Sequence, residues 1–170
     1  MDIVDCILED HNRQRILFSA LDEARDDPDA LGRIFRHLKN FLEAHAEAEE
    51  LYFYPTLLKN GDGALDSDSA ADTTQDAIKD HNEIAEVAEA ALKEKPGSEA
   101  WWTAVDTCNF HNSKHMSEEE RQGLTDFRRT VPQDQRVKLA IQYLAFEAKH
   151  AGEYERAEKD PDEYIEKHEG

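Results

Sequence analysis

Two short blocks of ligand-type residues occur twice in this sequence at one constant offset. Asp10-His11-Asn12 returns as Asp80-His81-Asn82, and His45-x-x-x-Glu49-Glu50 returns as His115-x-x-x-Glu119-Glu120, each 70 residues later. Imidazole nitrogens and carboxylate oxygens hold cations such as iron, manganese and zinc, and a carboxylate can bridge two of them. Residues four apart on a helix differ by about 40° in azimuth, so His45 with Glu49, and His115 with Glu119, form two-pronged clamps. His11 and His81 add one nitrogen each. The candidate ligands are therefore His11, His45, Glu49, His81, His115 and Glu119. Such a set, facing inward from several helices, suits two irons in the core of a bundle. The expected division is His11 and His45 on one metal, His81 and His115 on the other, with Glu49 and Glu119 bridging.

A lone His-x-x-x-Glu in an acidic helical chain is better explained by chance than by a site. Here chance must also produce three coincidences in one register. Glu50 and Glu120 stand about 100° off the clamp face and read as solvated. His111 lies one turn before His115, on the same face, but its counterpart in the first repeat is Phe41, which favours packing over ligation. His37, His150 and His168 have no counterparts and read as surface or packing residues.

Long amphipathic helices must position these groups. Ile3, Ile7, Ile16, Leu17 and Leu21 at helical spacing mark a first helix to about Arg25. Asp27-Pro28 offers an N-cap and first-turn residue for a second helix through Leu31, Leu38 and Leu42 to Phe53, and Pro55 must kink or end it. Lys59 to Thr74, rich in Gly, Asp, Ser and Thr, reads as a surface loop. A third helix is expected from about Thr74 to Glu94, stopped by Pro96-Gly97, and a fourth from Ser98 through Trp101, Val105, Cys108 and Leu124 to Phe127. A fifth, roughly Gln133 to His150, should lie outside the bundle, and 152–170 has few apolar anchors and is assigned no chemistry. The fold class is thus all-α: an antiparallel four-helix bundle over 1–130, with an additional C-terminal helix and tail over 131–170.

A chain 39% hydrophobic and 35% charged suits amphipathic helices and argues against wholesale disorder. The net charge of −19 repels phosphate backbones and anionic lipid, so nucleic acid and membrane surface are poor partners. No apolar run approaches the ~20 residues of a membrane span, and the acidic N-terminus lacks a positive leader, which points to the cytoplasm. Cys6 and Cys108 lack metal-binding spacing and read as free thiols in a reducing compartment.

On these residues the chain resembles the hemerythrin-like family, the HHE cation-binding domain, whose signature of His, HxxxE, His, HxxxE is matched over about residues 5 to 128. The resemblance implies an up-down-up-down bundle with an oxo- or hydroxo-bridged di-iron centre that reacts with dioxygen, hydrogen peroxide or nitric oxide. Carried over, its ligands are the six residues named above. Oxygen-carrying members place a further histidine one turn before the third-helix ligand, where this chain has Ala77. They also use an aspartate five residues after the fourth-helix histidine, where this chain offers Glu119 at a spacing of four. Both departures argue against oxygen carriage and for an open coordination position. Members commonly place an apolar residue before the proline that ends the second helix, whereas this chain reads Tyr52-Phe53-Tyr54-Pro55. On a regular helix Tyr52 is nearer the clamp face, but a disturbance at Pro55 would turn Tyr54 inward, making Tyr54 the expected catalytic residue. Ordinary packing of both tyrosines is the plainer alternative. The functional expectation is a di-iron protein that consumes peroxide or nitric oxide in a peroxidase- or catalase-like cycle. A non-catalytic binder or sensor of oxygen, nitric oxide or iron, and a metal-free helical adaptor, are its competitors.

Overall fold

Short polar side chains fix where the helices begin. Asp2 accepts from the Val4 N–H at 3.0 Å and exchanges a reciprocal bond with Asp5, opening α1 (Ile3–Glu23). Asp27 accepts from the N–H groups of Asp29 and Ala30, and Pro28 starts α2 (Pro28–Tyr52). After a single-residue interruption comes α3 (Tyr54–Asn60). Ser69 and Asp72 form a second capping box ahead of α4 (Ala70–Leu92), and Ser98 caps α5 (Glu99–Arg121). The helices α6 (Gly123–Thr130) and α7 (Gln133–His150) follow. The computed structural model describes residues 1–63 and 69–151, among which no strand occurs. The tail at 152–170 and the loop segment 64–68 lie outside the described residues.

Four boundaries differ from the sequence expectation. The fourth helix is not one rod: it breaks at Gln122, so that Leu124 and Phe127 belong to α6. The second helix breaks at the matching place, Phe53, two residues before Pro55. Both interruptions follow directly on a His-x-x-x-Glu-Glu block, so the kink belongs to the repeat and proline is not its only cause. The third helix begins four residues earlier than expected, because Ser69 provides the cap. Asp62 and Gly63 are pinned by buried Asp126, which accepts from their N–H groups (3.2 Å and 2.9 Å) and from Arg129 (2.7 Å). Lys59 and Asn60, read as loop, close α3 instead.

The four long helices α1, α2, α4 and α5 form the antiparallel bundle. Their apolar residues divide into two buried clusters. One joins Ile3, Ile7, Phe53, Leu57, Leu124 and Phe127; the other joins Leu17, Leu21, Phe35, Leu38, Ile84, Trp101 and Val105. Phe35 and Trp101 meet edge to face at 5.5 Å, and truncating such a buried aromatic costs about 3–5 kcal/mol. Gly97, at φ 82, makes the tight α4–α5 turn that keeps those helices adjacent. On every long helix the candidate ligands fall between the stretches that feed the two clusters. A polar layer therefore crosses an otherwise apolar bundle.

As expected, α7 packs outside, against α1 and α2. Ala140 and Tyr143 are its buried residues, and Phe146 meets Tyr52 of α2 edge to face at 6.2 Å. Arg136 anchors its start on Asp2 at 2.7 Å and on the Val131 carbonyl at 2.7 Å.

Candidate metal centre

The six candidate ligands meet in the polar layer, all of them buried. Ligand atoms of His11, His45 and Glu49 lie within 4.8 Å of one another, and so do those of Glu49, His81 and His115. Glu49 serves both groups: Oε1 is 3.1 Å from His45 Nε2, and Oε2 is 3.3 Å from His81 Nε2. His11 Nε2 is 3.2 Å from Glu119 Oε2, and the Nε2 atoms of His81 and His115 face each other at 3.1 Å. The histidines thus fall into an 11/45 group and an 81/115 group.

Whether these residues suit a cation is decided by their outer nitrogens. His11 Nδ1 lies 2.9 Å from Glu120 Oε1, and His81 Nδ1 lies 2.9 Å from Glu50 Oε1. A carboxylate there takes the Nδ1–H and leaves the inward Nε2 as a lone pair. His45 Nδ1 lies 2.7 Å from the Tyr143 hydroxyl, which itself donates to Asp10 at 2.6 Å, so His45 is held in the same tautomer. The centre thus turns lone pairs of histidine toward lone pairs of glutamate. His11 Nε2, His45 Nε2, both oxygens of Glu49 and Oε2 of Glu119 are buried without a hydrogen-bond partner. Acceptors facing acceptors away from water demand positive charge between them, which a proton or a metal supplies.

These contacts correct one sequence reading. Glu50 and Glu120 are not solvated acids; each reaches across to a histidine of a neighbouring helix. The 100° offset that removes them from their own clamp face aims them at the adjacent helix, because in a bundle that direction is a helix–helix groove. Asp10 does the same on the other diagonal, 3.3 Å from His45 Nδ1, whereas Asp80 stays 4.0 Å from His115 Nδ1. The repeat therefore encodes ligands and their supports together, and its inclusion of Asp10, Glu50, Asp80 and Glu120 was the available signal.

Of the two tyrosines, the helix break turns Tyr54 inward. It is 2% exposed and its hydroxyl donates to Glu119 Oε1 at 2.5 Å. That oxygen, expected to bridge, is taken up by the phenol, leaving Oε2 toward His11. Tyr52 points to α7 instead. Ala77 is buried near Tyr54, with a void of only about 10 Å³ among Tyr54, Ala77, His115 and Glu119. A wider cavity of about 230 Å³ lies between α2 and α4, reaching His45, His81, His115 and Asn112 past Leu42, Ala46, Ile84 and Ala85. His111 faces Glu83 at 3.2 Å and belongs to neither ligand group, because α5 presents it toward the rim of α4. His37 stacks on Phe41 and His150 on Phe146, while His168 lies outside the described residues. Cys6 and Cys108 are buried free thiols, and burial pushes them up to about 11 and about 12.

Charge is shared unequally across the layer when only protons are present. Burial opposes the charged form of His45 and His81, but Glu49, with Asp10 and Glu50 respectively, outweighs it, raising His45 well above its usual range and His81 to about 9. Burial likewise pushes Glu49 up, yet those imidazoles hold it well below the usual carboxylate range. His115 is driven well down, by burial first and then by the neighbouring His81 charge. Protons thus occupy the layer where cations would, and metal entry has to release them.

No solved structure matches the chain. A DNA nickase of Nostoc sp. (strain PCC 7120 / SAG 25.82 / UTEX 2576) is 27% identical over 150 residues, covering 88% of this chain and 40% of that protein. The chain thus spans about two-fifths of the relative's length. Among the described residues no helix is long and apolar enough to cross a membrane. The family model of the hemerythrin HHE cation binding domain matches residues 2–125, most of the chain, and this protein therefore belongs to the hemerythrin HHE family.

Proposed function

We propose that the chain holds two iron ions through His11, His45, Glu49, His81, His115 and Glu119 and uses them to consume hydrogen peroxide or nitric oxide. The observation that carries this reading is the ring of buried acceptor atoms with no donor between them, divided into two groups that share Glu49. Two irons would supply Lewis acidity and one-electron redox change to a bound small oxidant. The protein's own residues do the rest. Glu49 ties the two halves together, and Glu50 and Glu120 keep the Nε2 lone pairs of His81 and His11 aimed inward. The α2–α4 cavity admits a small molecule from one side, and its walls of Leu42, Ile84 and alanines exclude bulky reductants. Burial, with the charge of Glu119 adding to it, keeps the Tyr54 phenol protonated, so it is a hydrogen-bond donor beside the centre.

Reversible binding or sensing of oxygen, nitric oxide or iron is the second reading. It draws on the Nostoc relative, in which the matching region is a part of a much longer chain. DNA nicking is not carried over, since a net charge of −19 repels a phosphate backbone. The deciding experiment measures iron content and visible absorption of the purified chain, with His45→Ala and His115→Ala as controls, and then counts turnovers of peroxide and of nitric oxide. Two irons per chain, lost in the controls, with many turnovers of either molecule is the expected outcome. A single stoichiometric event favours the sensor, and iron-free protein removes the metal reading altogether.

A further inference from the structure

The repeat makes the two halves of the centre near copies, but their outer supports differ. On one side His45 Nδ1–H donates to Tyr143 at 2.7 Å, and Tyr143 donates to Asp10 at 2.6 Å, with Asp10 also 3.3 Å from His45. On the other, Asp80 stands 4.0 Å from His115 Nδ1, beyond hydrogen-bond reach, and both its oxygens are held by Lys114 Nζ at 3.1 Å. The phenol comes from α7, which lies outside the matched family region and packs on the α1–α2 side of the bundle. Among the described residues no counterpart of α7 covers Asp80.

We infer that α7 makes the centre unequal: Tyr143 is a positioning residue that strengthens the His11–His45 metal position, while Lys114 weakens the His81–His115 position. A carboxylate that polarises Nδ1–H makes the opposite nitrogen a better donor to a cation. Asp10 does so through a fully buried phenol. Asp80 cannot to the same degree, because a lysine offsets its charge and it is too far from His115. Tyr143 is 0% exposed, so this bridge is shielded from competing water.

The inference rests on the six residues being metal ligands, and Co²⁺ separates the two ideas. The metal-free full-length chain is titrated with Co²⁺, following the visible ligand-field absorption and the bound metal by equilibrium dialysis. Wild type is expected to fill in two resolved steps. Tyr143→Phe should weaken the first step about tenfold and leave the second in place. Lys114→Met, at a half-exposed position, should tighten the second step alone. Two indistinguishable steps in wild type overturn the inference and leave the ligand assignment standing. So do a Tyr143→Phe that weakens both steps equally or neither, and a Lys114→Met that leaves the second step unchanged. Absence of any bound Co²⁺ overturns both ideas. Should Tyr143→Phe fail to fold, the wild-type steps and Lys114→Met still decide.

Discussion

Replacing Tyr54 by phenylalanine removes one oxygen atom from a side chain that is 2% exposed and leaves its ring in place among Phe53, Ala77 and Leu57. The lost contact is the 2.5 Å donation to Glu119 Oε1. A hydrogen bond to a charged acceptor contributes about 1.5–3 kcal/mol. For a chain of this size each kcal/mol moves the melting temperature by roughly 2–4 °C, so the metal-free variant should melt roughly 3–12 °C lower. Metal loading changes the sign of the local problem, because a freed Oε1 can turn to a cation. The deficit should therefore shrink by about half or more when iron is bound, and the visible spectrum should shift as the carboxylate adds a donor. Circular dichroism melts of metal-free and iron-loaded protein, wild type against variant, give all four values. An unchanged metal-free melt would show that the phenol does not hold Glu119. An unchanged spectrum together with unchanged peroxide and nitric oxide kinetics would remove Tyr54 from the chemistry.

Two further outcomes follow from other contacts. In Gly61→Ala the added carbon would meet Asp126 Oδ2 at 2.6 Å, the Leu57 carbonyl at 2.8 Å and Ala70 at 2.9 Å, so a loss of about 1–3 kcal/mol is expected in urea unfolding. A wild-type-like midpoint would mean that the 61–63 loop is not held as described. Glu147 is raised from 4.5 to about 8, by burial first and then by Asp10. Between those values the folded chain keeps a proton that the unfolded chain has released, so stability falls as pH rises through that window. Glu147→Gln should make the decline in the metal-free urea midpoint between about pH 5 and about pH 9 shallower, and an equally steep decline would refute the assignment.

The ligand positions were legible because helices turn residue spacing into direction, and a constant offset of 70 residues then stacks like on like. The same arithmetic misled for Glu50 and Glu120: azimuth says which way a side chain leaves its own helix, not whether water or a neighbour lies there. Tyr143 was visible only as an apolar anchor of the fifth helix, since its role needs the docking of α7 and it belongs to no repeat. Pro55 marked a break, but the direction in which Tyr54 emerges depends on local backbone geometry that no periodicity contains. The interruption at Gln122 had no proline to announce it, and the cap that starts α4, Ser69, lies within the stretch read as loop.

The polar layer between two apolar clusters also bears on how the chain persists. Each cluster is apolar, whereas the acceptors in the layer between them lack a partner until protons or cations enter it. Any cation that fills the layer in the folded chain alone adds stability that grows with the logarithm of its free concentration. The population of folded molecules, and with it their resistance to proteolysis, then becomes a running measure of the metal supply around them.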